Sequence, residues 1–89
     1  MIKQMYYFYV LKSEKDNRLY KGFAKDVGKR VAEHNSGKVI ATKNRRPFYL
    51  IYTEEFIDKE DAIKKEKYYK SYTGGKKLGK ILERVNNRG

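Results

Sequence analysis

Apolar positions along this chain fall into six short runs, and their spacing changes from run to run. Residues 5–12 (Met-Tyr-Tyr-Phe-Tyr-Val-Leu-Lys) are apolar or aromatic almost without a break. A run that short, rich in aromatic and β-branched residues, predicts a strand covered on both faces. Ser13 to Asn17 is polar and ends in Asp16-Asn17, a turn signal, and Arg18 to Gly22 predicts a second strand, so the two form a hairpin. Asp26 is placed to cap a helix reaching about Asn35 and closed by Ser36-Gly37, with Val27, Val31 and Ala32 at helical spacing. A polar stretch from Lys38 to Arg46 ends at Pro47. Phe48 to Phe56 predicts a third strand, alternating around Leu50 and Ile51. Asp58 should cap a helix over about Lys59 to Tyr69, Gly74-Gly75 should reset the chain, and Lys76 to Val85 carries Leu78, Ile81, Leu82 and Val85 at helical spacing. The expected order is β-β-α-β-α-α, an α/β chain of the α+β kind with antiparallel strands covered by helices.

Eighty-nine residues suit one domain, taken as 1–89, with a small core. The absence of cysteine excludes disulfides, thiolate zinc sites and a cysteine nucleophile. No apolar run approaches the ~18–20 residues of a membrane span, and the first residues lead straight into a strand, so a cytoplasmic protein is expected. Charge narrows the class further. Lys and Arg total 22 against 11 acids, a net +11, which favours polyanions and nucleic acid first. The stretch from Lys38 to Arg46 concentrates Lys38, Lys43, Arg45 and Arg46 without an acid, a candidate grip on backbone phosphates.

Three features break the structural pattern. On the second helix, Ala62 and Tyr69 mark an inward stripe that also passes through Glu66. A carboxylate there must be paired, protonated or holding a metal, because an isolated buried charge is costly. Arg30 and His34 share a face of the first helix, an arrangement suited to phosphate-ester chemistry that helix-end electrostatics can also produce. Tyr9 and Tyr7 share one face of the first strand, and Tyr20 sits at a strand end just before Gly22. His34 is the one histidine, so a multi-histidine site cannot form, and no nucleotide-loop motif is present.

Together these residues resemble the GIY-YIG nuclease superfamily, over about Tyr6 to Leu82. Tyr7-Phe8-Tyr9-Val10-Leu11 is similar to its first motif and Tyr20-Lys21-Gly22 to its second, eleven positions on. Arg30 and His34 fall where the family carries an arginine and, one turn later, a tyrosine or histidine; Glu66 matches its metal-binding glutamate. His34-Asn35-Ser36-Gly37-Lys38 and Arg45-Arg46-Pro47 are similar to small stand-alone members related to the catalytic domain of the bacterial excision-repair endonuclease. Two positions depart from the pattern: Tyr7 stands in place of a glycine and Lys21 in place of an isoleucine, where it could face solvent or a phosphate.

The resemblance implies a three-stranded antiparallel sheet flanked by about three helices. It also implies metal-dependent hydrolysis of a phosphodiester in nucleic acid, DNA ahead of RNA, in repair or processing. Glu66 would hold one Mg²⁺ or Mn²⁺ and Arg30 would stabilise the phosphate. Tyr9 would act as base or orienter, hydrogen-bonded to Tyr20 and with its pKa lowered from ~10, while His34 relays the proton or orients it. Lys21, Lys38, Lys43, Arg45 and Arg46 are the expected nucleic-acid contacts, and a protein partner could supply specificity. The alternative is a nucleic-acid-binding relative of the same fold without efficient cleavage.

Overall fold

The computed structural model describes residues 4–86. Its elements are β1 (Tyr6–Ser13), β2 (Leu19–Ala24), α1 (Val27–Ser36), β3 (Phe48–Phe56), α2 (Lys59–Lys70) and α3 (Tyr72–Asn86), with a 3₁₀ turn at Lys43–Arg45. The strands form one sheet in the order β2-β1-β3, with β1 antiparallel to both neighbours. The β-β-α-β-α-α order is as expected.

Because β1 is central, its run of apolar residues is buried on both sides. Phe8 and Val10 pack with Tyr69, Leu78 and Leu82 under α2 and α3. Tyr9 and Leu11 face the other way, with Phe48 and the half-buried Tyr20, Val27 and Val31 of the α1 side. All four central residues are at most 1% exposed, and each such side chain contributes roughly 1.5–3 kcal/mol on burial.

The pairing of β1 with β3 slips between Val10 and Leu11: Val10 lies opposite Tyr52 and Leu11 opposite Leu50. The extra residue, Ile51, inverts the alternation of β3. Phe48 therefore joins Tyr9 on the α1 face while Tyr52 and Phe56 join Phe8 on the other. On that second face Glu54 accepts hydrogen bonds from the hydroxyls of Tyr52 (2.7 Å) and Tyr69 (2.5 Å).

Local chemistry sets the ends of the elements. Asp26 caps α1 by accepting from the Lys29 N–H at 3.0 Å, and Gly37 closes it in a left-handed conformation. Asp58 occupies the cap position of α2, but its side chain makes no capping hydrogen bond. Gly74-Gly75 does not reset the chain; both glycines lie inside the first turns of α3. Only Ser71 separates α2 from α3, so the helices meet at very close range. A Cβ on Gly74 would stand 1.8 Å from the Tyr68 carbonyl oxygen, and glycine is what permits the approach. No helix among the described residues is long and apolar enough to cross a membrane.

Candidate active site

The site assembles around one buried hydroxyl. The ring of Tyr9 crosses the α1 face of the sheet beneath Gly22, its partner across the β1–β2 ladder. An added Cβ on Gly22 would lie 2.6 Å from the Tyr9 oxygen, so the glycine clears space for that ring. The Tyr9 hydroxyl meets His34 Nε2 at 3.1 Å, and His34 Nδ1 meets Thr42 Oγ1 at 2.8 Å. Thr42 can spend its own proton on the Val39 carbonyl, 3.4 Å away. This network assigns the imidazole proton to Nδ1, leaving Nε2 to accept from Tyr9. His34 is fully buried rather than displayed on an outer helix face. Burial first, and then the Arg30 charge, hold its pKa below the ordinary value, and it is neutral at pH 7.

The expected Tyr9–Tyr20 hydrogen bond is not formed. The two rings lie 6.4 Å apart, and Tyr20 instead sets its ring edge-on to His34 at 4.7 Å. Tyr20 is half-buried, and its hydroxyl makes no hydrogen bond among the described residues and is not sealed from water. The Tyr9 pKa is raised, not lowered. Burial pushes it up to about 12, the adjacent Arg30 works against that, and the charges of Tyr20 and Glu66 add to it. Residues from β2, α1 and α2 thus bear on the same hydroxyl. Tyr9, Tyr20, Arg30, His34 and Glu66, singled out separately along the chain, converge here.

Arg30 and Glu66 form the polar margin. Arg30 Nη1 pairs with Glu33 Oε1 at 3.0 Å, leaving further guanidinium donors for a ligand. Glu66 lies on α2 between fully buried Ala62 and Tyr69, its side chain 18% exposed and its Oε2 3.0 Å from Lys70 Nζ. The described residues hold no cluster of three or more His, Cys, Asp or Glu that could cage a metal. What they offer is a single carboxylate with an exposed lysine as its partner. Such a donor fits Mg²⁺ or Mn²⁺, which keep most of their ligands as water and substrate oxygens.

The expected nucleic-acid contacts divide. Lys21 is half-buried, and from the α2 side of the sheet its ammonium donates to the Tyr69 carbonyl at 3.0 Å. Arg45 does have a counter-charge, pairing with Asp16 at 2.8 Å and covering the Phe48 ring at 5.3 Å. Lys38, Lys43 and Arg46 are exposed on the loop between α1 and β3, with Arg46 Nε donating to the Lys43 carbonyl.

Two further residues, Thr42 and Asn35, hold the site together through contacts that the sequence does not announce. Thr42 sits in a loop notable only for its cations, and nothing local marks it as the partner of His34. Asn35 exchanges two hydrogen bonds with Phe48, accepting from its N–H at 2.7 Å and donating to its carbonyl at 2.9 Å. It ties the end of α1 to the start of β3 and closes the loop that carries Thr42.

A three-stranded antiparallel sheet with α1 on one face, α2 and α3 on the other, and Tyr, Arg, His and Glu meeting at the central strand defines a nuclease-type scaffold. Residues 5–78 match the GIY-YIG catalytic domain, and the chain belongs to that family. It is 44% identical over 79 residues to a UPF0213 protein of Staphylococcus saprophyticus, covering 88% of this chain and 95% of that protein. A UPF0213 protein of Staphylococcus aureus is 45% identical over 80 residues, covering 89% and 96% respectively. The solution NMR structure of a UPF0213 protein from Bacillus halodurans superposes with a TM-score of 0.53 at 34% identity, covering 86% of this chain and 84% of that one.

Proposed function

We propose that this chain is a metal-dependent endonuclease that hydrolyses a phosphodiester bond in nucleic acid, DNA ahead of RNA, in repair or processing. The observation that carries the reading is the convergence of Tyr20, Arg30, His34 and Glu66 on the Tyr9 hydroxyl. Membership of the GIY-YIG family and the net charge of +11 support it.

In this mechanism Arg30 holds the scissile phosphate with the donors Glu33 leaves free, and balances charge as it builds there. Tyr20 presents its hydroxyl to the attacking water. Tyr9 is a positioning residue, because its own hydroxyl is committed to His34 and held near pKa 12. His34 fixes Tyr9 through one nitrogen and the Thr42 loop through the other. Glu66, released from Lys70, would hold one Mg²⁺ or Mn²⁺. The cation's chemistry, when bound, is to place positive charge against the phosphate and acidify the attacking water.

Incubation with labelled DNA and RNA duplexes, single strands, flaps and junctions, in Mg²⁺, Mn²⁺ or EDTA, tests the proposal. Cleavage of at least one substrate with either metal and none in EDTA is expected. Binding without cleavage in every condition would favour the non-cleaving relative, and cleavage in EDTA would refute metal dependence.

A further inference from the structure

Between α1 and β3 the chain exposes an apolar tip that the mechanism does not use. Ile40 is 88% exposed, the most open of the large apolar side chains described, and Ala41 beside it is also exposed. This tip is flanked by Lys38 and Lys43, with Arg46 beyond, and the stretch contains no acid. Lys43 and Arg46, with Lys15, Asn35 and Asn44, line an adjacent hollow of about 340 Å³.

Such a tip could be an accident of a slack loop, but this loop is fastened at both ends and in the middle. The Lys38 N–H bonds to the Glu33 carbonyl at 3.3 Å and the Thr42 N–H to the Val39 carbonyl at 3.1 Å. Thr42 is bonded to His34, Arg45 to Asp16, and the Arg45 carbonyl accepts from Ser13 Oγ at 2.6 Å. Ile40 is therefore held in a set position, two residues from the partner of His34.

We propose that Ile40 is a wedge that enters a base step of duplex nucleic acid beside the scissile phosphate, while the flanking cations hold the backbone. The inference rests on the nuclease reading and adds a substrate class to it: duplex sites that unstack easily, such as mismatches and flexible pyrimidine–purine steps. Apolar side chains inserted between base steps kink the duplex at an unstacking cost that is smallest where stacking is already weak. The surrounding positive charge selects a polyanion as the occupant.

The test uses the whole protein in EDTA with 2-aminopurine duplexes that are fully paired, mismatched, or carry a pyrimidine–purine step, titrated to saturation by anisotropy. The wild type and Ile40→Leu should brighten the mismatched and pyrimidine–purine probes several-fold. Ile40→Ala should leave them near baseline, with affinity reduced by no more than about tenfold because the phosphate contacts persist. Its melting curve should match the wild type, since an exposed side chain is removed. Brightening by Ile40→Ala equal to that of the wild type would overturn the wedge. So would loss of binding to phosphatidylserine vesicles by Ile40→Ala with the duplex signal intact, which would assign the tip to lipid. A wild type that unstacks the probe yet cuts nothing with Mg²⁺ or Mn²⁺ would uphold the wedge and sink the nuclease reading. Failure of the wild type to bind the duplexes would end the wedge, and cleavage of single-stranded substrates would then show whether the nuclease reading survives.

Discussion

Replacing Gly22 by alanine drives a methyl group into the centre of the site. The new Cβ would stand 2.6 Å from the Tyr9 hydroxyl oxygen and 2.8 Å from the ring carbon that bears it, where ordinary contacts begin at 3.4 Å. The Tyr9 ring has no room to yield, being 1% exposed and bonded to His34 at its tip. Overpacking of this kind costs typically about 1–3 kcal/mol, and displacing Tyr9 from His34 forfeits about 1 kcal/mol more. A total of roughly 2–4 kcal/mol lowers the melting temperature of a domain this small by about 10–25 °C. Thermal melts by circular dichroism, repeated as urea midpoints, measure the effect. Gly79→Ala is the matched control, because nothing lies within 4 Å of its added Cβ and alanine favours a helix interior by about 0.5–1 kcal/mol. A Gly22→Ala protein melting within about 2 °C of the wild type would refute the tight seating of Tyr9, and with it the argument that His34 and Tyr9 form one rigid unit.

Other consequences separate catalytic from positioning roles. Tyr20→Phe should lower kcat by about 10²-fold with an unchanged melt, the range expected when a group assisting proton transfer is lost. Tyr9→Phe should instead destabilise the fold by about 1–3 kcal/mol, because it strands a buried imidazole nitrogen; kcat and melts on both variants would show a reversed pattern if the roles are exchanged. The His34 pKa is held below its ordinary 6.5, so the unfolded chain takes up a proton that the folded chain refuses. The His34 contribution is therefore complete above pH 6.5 and lost as pH falls below it. The melting temperature should drop from pH 7.5 to 5.0, with a flatter profile in His34→Gln. Neutralising Lys38 and Lys43 together should reduce the salt slope of DNA binding by about 1–2, whereas Arg45→Gln should lower the melting temperature and leave the slope in place. An unchanged slope in the Lys38/Lys43 variant would show that the loop cations touch no phosphate.

Fold and site were legible to different degrees, for physical reasons. The strand from Tyr6 announces itself because burial on both faces demands an unbroken apolar run, and α1 because Asp26 and Gly37 satisfy its ends from neighbouring residues. Gly74-Gly75 misled because glycine reads as a breaker, whereas here Gly74 lies inside the first turn of α3 and admits the Tyr68 carbonyl at the tight α2–α3 junction. Tyr20, Arg30, His34 and Glu66 stood out by residue type and spacing, whereas Tyr9 and the roles of all five were implied by the family resemblance. Their pairing was not legible, since whether Tyr9 reaches Tyr20 or His34 depends on how α1 is laid over the sheet. Lys21 and Arg45 looked free for the same reason: Tyr69 lies 48 positions from one and Asp16 29 positions from the other.

In the proposed mechanism Glu66 serves a metal and not the fold. The pair Glu66 makes with Lys70 joins a partly covered carboxylate to a lysine side chain that is 53% exposed, and a pair of that kind contributes under about 1 kcal/mol. Glu66→Gln should therefore melt close to the wild type and bind DNA in EDTA equally well or more tightly, since a negative charge near phosphate is gone. Cleavage by wild-type and Glu66→Gln protein, prepared identically and assayed with Mg²⁺ and Mn²⁺, is the decisive measurement. Metal-dependent cutting by the wild type and none by the folded variant is the expected result; full cutting by folded Glu66→Gln protein would remove Glu66 from any role in holding the metal.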